Sequence, residues 1–260
     1  MASVLLREFI KEITYINRNP EEGRVLELLR DKSTNVERLI PAGEIFYRSR
    51  IIKDIKEIGK DKESGFWGFD QKGSFVAPKE ATRDMRANYR YIPYLYIADN
   101  PRLAIYEIRP RYGARVSLAS IRANEKLAIL DFTATLTKAG TAASKQNLFK
   151  EISECFSKPV TEDDDIIDYI PTQYIAEFAK KIGYDGIAYT SSLRKEGNKG
   201  TYGTNYTIFN YGKMEAIRSN VFVIDQVSYE FKQEDDDNQK LFESVPGGLK
   251  SHHVIGKKYS

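Results

Sequence analysis

Histidine is almost absent from this chain: there are two, His252 and His253, both close to the C-terminal end. A Ser-His-Asp or Cys-His mechanism needs an imidazole held rigidly beside its nucleophile, and nothing that reads as core supplies one. Cysteine is scarcer still. The single Cys155 leaves no partner for an internal disulfide, which fits a reducing compartment. With no Cys-x-x-Cys pair and no His-Glu-x-x-His helix, the common zinc frameworks are missing and no metal is expected. Long apolar runs are lacking too. The longest, about Tyr94 to Ala98, falls far short of the roughly 20 residues that cross a bilayer, and the N-terminus shows no small-residue cleavage pattern. These features predict a soluble, cytoplasmic protein with no membrane partner. An excess of one charge is also missing: 40 basic and 37 acidic side chains leave a formal charge of +3, without the polyelectrolyte signature of a dedicated nucleic-acid binder. The glycine-rich stretch Gly197 to Gly203 has neither the Walker ending nor the Rossmann spacing and reads as a loop.

What is present suffices for one sizeable core, with 41% hydrophobic and 12% aromatic residues over 260 positions. Leu5, Phe9, Ile13 and Ile16 recur at helical spacing until Asn19-Pro20 ends the pattern, and a short second helix follows through Val25 and Leu29. Glu44 to Ile51 alternates as a strand with Ile45 and Tyr47 on one face. Residues 61–92 lack periodicity and read as a long structured loop, a feature that usually serves a site. Tyr94 to Ala98 is a strand, and Asp99-Asn100-Pro101 opens a helix with a capping side chain and an early proline. Further strands are expected at Arg115–Ile121, Leu127–Phe132, Gly186–Thr190, Asn205–Asn210 and Val221–Phe231, with helices at Asn147–Phe156 and Pro171–Ile182, the latter closed by Gly183. The acidic run Glu162 to Asp165 reads as a solvated loop. Elements mixed without βαβ alternation predict an α+β fold with a mostly antiparallel or split sheet. Residues 1–40 are expected to form a helical extension, 41–232 the main domain, and 233–260 a disordered tail.

Polar residues interrupt apolar elements in four places: Phe46-Tyr47-Arg48-Ser49-Arg50; Arg86-Ala87-Asn88 with the segment Ile92 to Ala98; Ala104 to Pro110 around Glu107; and Gly183 to Ser192 followed by Asn205 to Phe209. From about residue 44 to 212, with these motifs in order, the sequence resembles the RES-domain family. The resemblance implies an ADP-ribosyltransferase-like fold and degradation of NAD⁺ by water or inorganic phosphate, often as a toxin with a cognate antitoxin. It implies catalytic roles for Arg48, Glu107 and Ser191, and substrate-binding roles for Tyr47, Arg86, Asn88, Tyr96 and Asn205. Where the family usually has glycine before the second arginine and again before Ile-Pro, this chain has Met85 and Tyr91.

Those residue types suit that chemistry. Breaking a nicotinamide–ribose bond builds positive charge on the ribose, which a fixed carboxylate such as Glu107 stabilises. A pyrophosphate is matched by planar guanidinium groups, here Arg48 and Arg86, and Tyr96 offers a flat face with a hydroxyl. Ser191 has no base beside it and is assigned to binding or to positioning an acceptor. Glu107 and Arg48 are accordingly expected to converge in one cleft. Plainer roles stand beside these: Glu107 pairing with Arg111 at i+4, Tyr96 as a core aromatic, Ser191 as a turn residue. Two other functions remain open, transfer of ADP-ribose to a protein or nucleic acid, and a non-enzymatic binding module using the basic stretch Arg102, Arg109, Arg111, Arg115 and Arg122. The helical extension or the tail offers a place for a partner or for a second copy in a homo-oligomer.

Overall fold

A computed structural model describes residues 3–31, 36–134, 143–158, 166–193, 203–229 and 254–255. The expected acidic loop 162–165, most of the glycine-rich stretch and nearly all of the expected tail lie outside these residues. An eight-stranded sheet runs through the molecule in the order β1-β5-β6-β7-β3-β2-β4-β8. The strands are β1 (Glu37–Ile40), β2 (Ile45–Ile51), β3 (Leu95–Ala98), β4 (Arg115–Ala123), β5 (Leu127–Asp131), β6 (Gly186–Thr190), β7 (Thr204–Ile208) and β8 (Met214–Val223). The sheet is mostly antiparallel and the class is α+β, as the sequence predicts. Its one parallel pair, β5 with β6, needs a crossover, which α5 (Ala143–Ser157) and α6 (Ile170–Lys181) supply.

Strand alternation divides the side chains between two faces. Leu95 and Ile97, Tyr206 and Ile208, Phe46, Ala119 and Ile121 share one buried cluster. On the other face Leu130, Ile187 and Tyr189 pack under α1 (Val4–Tyr15), α2 (Arg24–Arg30), α5 and α6, and Ala98 packs with Tyr47 and Leu118 under α4 (Pro101–Glu107). Beneath the helices of this second face the sheet is nearly split. Strands β2 and β3 share a single paired position, Tyr47 with Ala98, and a seam opens beyond it.

The N-terminal helices are part of the main core. Ser3 caps α1 by accepting from the Leu6 N–H, and Leu6, Phe9 and Ile13 are buried. Phe9 meets Tyr174 of α6 edge to face, with centroids 5.9 Å apart. Residues 37–40, inside the stretch expected to be helical, instead form edge strand β1 on β5. The last long strand also differs from expectation: β8 starts at Met214 and ends at Val223, pairing along all of β4. Its inward positions include Ala216 and Ser219, too small and polar to show an apolar alternation. Two-residue strands β9 (Ser228–Tyr229) and β10 (Val254–Ile255) pair with each other. Among the described residues no helix is long and apolar enough to cross a membrane.

Asp185, in the turn before β6, ties several strands together. Its carboxylate accepts from the Ala128 N–H at 2.9 Å and the Asn210 amide at 3.1 Å, and it pairs with Lys213 at 2.9 Å. Burial pushes this carboxyl up, but those hydrogen bonds and the Lys213 charge outweigh it and hold the group below its ordinary range. The folded value lies below the unfolded one, so its stabilisation is complete above the unfolded value and is lost as pH falls through the folded one. Asp185→Asn is therefore expected to destabilise the protein by about 1–2 kcal/mol at pH 7. In urea unfolding followed at several pH values, the gap from wild type should close below about pH 4.

Candidate active site

Helix α4 exists to place one residue. The Asn100 side chain caps it, accepting from the Leu103 N–H at 2.9 Å, and Pro101 presets its first turn. Leu103 and Ala104 bury its inner face against Ala98, Tyr47 and Leu118. The helix stops at Glu107, because Arg109 turns to φ 44° and Pro110 cannot continue it. Without helix beyond Glu107, the i+4 geometry for a pair with Arg111 is absent.

The Glu107 side chain is exposed, yet one of its oxygens is fixed twice. Oε1 accepts from Ser191 Oγ at 2.8 Å and from Asn205 Nδ2 at 2.6 Å. Oε2 has no partner among the described residues. Ser191 follows β6, is buried, and is itself held: its N–H donates to the Gly203 carbonyl at 3.2 Å, and its Oγ accepts from the Leu193 N–H at 3.1 Å. Its only hydroxyl proton is thus committed to the carboxylate. Asn205 lies on β7, paired with both Ala98 of β3 and Tyr189 of β6. Gly203 leaves no room for a side chain, since a Cβ there would stand 2.3 Å from Asp99 Oδ1 and 2.5 Å from Asn100 Nδ2. That close approach keeps the β7 end against the cap of α4.

Tyr96 and Tyr189 share this face. Tyr96 donates its hydroxyl to Asn88 Oδ1 at 2.7 Å, and burial raises its pKa well above the phenol range. Tyr189 is pushed up to about 12 by burial, and its hydroxyl feels both the Glu107 carboxylate, which raises the value, and the Arg86 guanidinium, which lowers it. Arg86 is buried and lies over the Tyr169 ring, 5.1 Å from its centroid. Asn88 is spent on its own loop: its amide donates to the Arg83 and Tyr89 carbonyls, both at 2.9 Å.

Strand register corrects the expected convergence of Glu107 with Arg48. Arg48 pairs with Ala119 and shares the side of Phe46, the face opposite Glu107. Tyr47, one residue earlier, faces the site. Arg48 is the first β2 residue past the single β2–β3 pair. Its Nη1 is buried without a partner, and burial, together with the Arg50 charge, pushes its pKa down to about 10. Of the two expected guanidinium groups, Arg86 is the one that shares a neighbour with Glu107, since both charges act on the Tyr189 hydroxyl. Tyr189 and the buried Gln173 of α6 were not singled out by sequence. Strand alternation signals the first, and a polar side chain in an otherwise buried helical turn signals the second.

The fold and site define an α+β protein that presents one carboxylate, anchored through a single oxygen, beside a buried arginine and two tyrosines. The chain belongs to the RES-domain family, whose model matches residues 59–232. Arg86, Asn88, Tyr96, Glu107, Ser191 and Asn205 fall within the match, whereas Tyr47 and Arg48 precede it. No curated protein matches the chain. Among solved structures it is similar to the M. tuberculosis MbcT-MbcA toxin-antitoxin complex, at 14% identity and a TM-score of 0.41, over 77% of this chain and 93% of that one.

The two glycine departures differ in consequence. Tyr91 sits at φ 68° in the left-handed region, whereas Met85 does not. A tyrosine there carries a backbone cost of about 1 kcal/mol that glycine avoids. Tyr91→Gly is expected to keep or raise thermal stability, by up to about 1 kcal/mol, despite losing the exposed ring beneath Arg90. A clear drop in Tm would contradict this reading of the turn.

Proposed function

We propose that this protein cleaves the nicotinamide–ribose bond of NAD⁺, using water or inorganic phosphate as acceptor. The observation that carries the reading is the Glu107 carboxylate, with Oε1 held by Ser191 and Asn205 and Oε2 without a partner among the described residues. In the reaction the bond between the ribose anomeric carbon and the pyridinium nitrogen breaks, and its electron pair leaves with neutral nicotinamide. Positive charge grows on the ribose as this happens. Oε2 of Glu107 lies against that charge and lowers the barrier electrostatically, without reorganising, because Oε1 is already fixed. An oxygen of water or phosphate then bonds to the anomeric carbon, and attacking water releases a proton to solvent.

Ser191 and Asn205 orient the carboxylate, and Ser191 is not a nucleophile. Arg86 holds the pyrophosphate, Tyr96 and Tyr189 wall the nicotinamide, and Tyr47 lines the α4 side. Asn88 acts through the loop it ties together. Arg48 meets a phosphate only where the dinucleotide enters the seam between β2 and β3, and its unpaired nitrogen suits that contact. Membership of the RES family supports NAD⁺ as substrate and action as a toxin restrained by an antitoxin.

Glu107→Gln should lower kcat for nicotinamide release by about a hundredfold or more, equivalent to about 3 kcal/mol, with little change in KM. Chromatography of products from labelled NAD⁺, run with and without phosphate, identifies the acceptor through free ADP-ribose or its phosphate ester. Label on a protein or nucleic acid would make the enzyme a transferase, and intact NAD⁺ would end the proposal. Induced expression should deplete cellular NAD⁺ and arrest growth, and Glu107→Gln should relieve both.

A further inference from the structure

Helix α6 brings a primary amide to the loop that carries Arg86. Gln173 is 1% exposed. Its Nε2 donates to the Met85 carbonyl at 3.0 Å and to the Asn88 carbonyl at 2.9 Å, with Asp84 Oδ1 at 3.5 Å. The two backbone acceptors bracket Arg86. The Met85 N–H donates to the same Asn88 carbonyl at 3.0 Å, closing the turn between them. Four residues before Gln173, Tyr169 lies beneath the Arg86 guanidinium. One end of α6 therefore holds both the backbone and the head group of this arginine.

We propose that Gln173 is a positioning residue that sets Arg86 in place to bind the pyrophosphate of the substrate. The inference rests on the proposed function and names the device behind its phosphate subsite. The chemistry is specific to an amide. Both partners are carbonyl oxygens, so the group between them has to offer two N–H bonds. Glutamate would set a third acceptor against them, and leucine would leave both buried carbonyls without this donor. Either change frees the loop on each side of Arg86 and spoils the geometry that paired phosphate contacts require.

Gln173→Leu and Gln173→Glu are expected to raise KM for NAD⁺ by about tenfold or more, with kcat within about threefold of wild type. Affinity for ADP, used as the probe of the pyrophosphate subsite, should fall in step, while inhibition by nicotinamide stays unchanged. In an Arg86→Ala background the Gln173 substitutions should add nothing further to KM. Lowering the pH should restore part of the ADP affinity in Gln173→Glu but not in Gln173→Leu, because the protonated acid regains one donor. Amide hydrogen exchange over residues 84–88 should quicken in both variants while α6 stays protected.

A fall in kcat at constant KM, or additive effects with Arg86→Ala, would overturn the proposal. Unchanged exchange at 84–88 would overturn it regardless of any activity. A wild-type protein that leaves NAD⁺ intact but binds ADP in a Gln173-dependent way would refute the proposed reaction and keep the clamp.

Discussion

A single oxygen atom joins three parts of this molecule. Oε1 of Glu107 receives one hydrogen bond from the residue just past β6 and another from β7, while its own backbone ends α4. Two donors on one oxygen leave the carboxylate little freedom to rotate, and its second oxygen has no partner among the described residues. Charge that is fixed before the reaction is what makes electrostatic catalysis effective, since no dipoles must turn as the barrier is crossed. The rest of the fold can be seen as support for that arrangement. The Asn100 cap and the apolar contact of Leu103 and Ala104 fix the height of α4, and the tight approach of Gly203 to Asp99 and Asn100 fixes the β7 end.

The sheet contributes through its near-division. Strands β2 and β3 agree at one position and then part, and α4 packs over that position, on Tyr47 and Ala98. Tyr96, Tyr189 and Asn205 lie on that same face, on β3, β6 and β7. The carboxylate of Glu107 comes with α4, and the guanidinium of Arg86 with the loop bound to α6.

Much of this was legible in the residues. Helical periodicity placed α1 and α6, the Asn100-Pro101 signal placed α4, and alternation placed β3, β6 and β7. The resemblance brought out Arg86, Glu107, Ser191 and Asn205, which the fold does gather around one face. Other features were hidden for physical reasons. Edge strand β1 has four residues, too few to show a period, and β8 turns small or polar side chains inward. The face of Arg48 was implicit in the alternation that gave Ile45 and Tyr47 to one side, because a neighbour in a strand must point the other way. A motif read as a string conceals that. Gln173 was concealed differently: its partners are backbone carbonyls far away in sequence, and backbone acceptors leave no mark in side-chain identity.

Helix α6 has another neighbour. Tyr174, the residue after Gln173, packs edge to face on Phe9 and donates its hydroxyl to the Pro20 carbonyl, so the first thirty or so residues brace the helix that holds the arginine loop. Trimming the N-terminus would strip the apolar cover from α6 and loosen the candidate site from behind. The opening helices thus share one core with the candidate site and form its back wall.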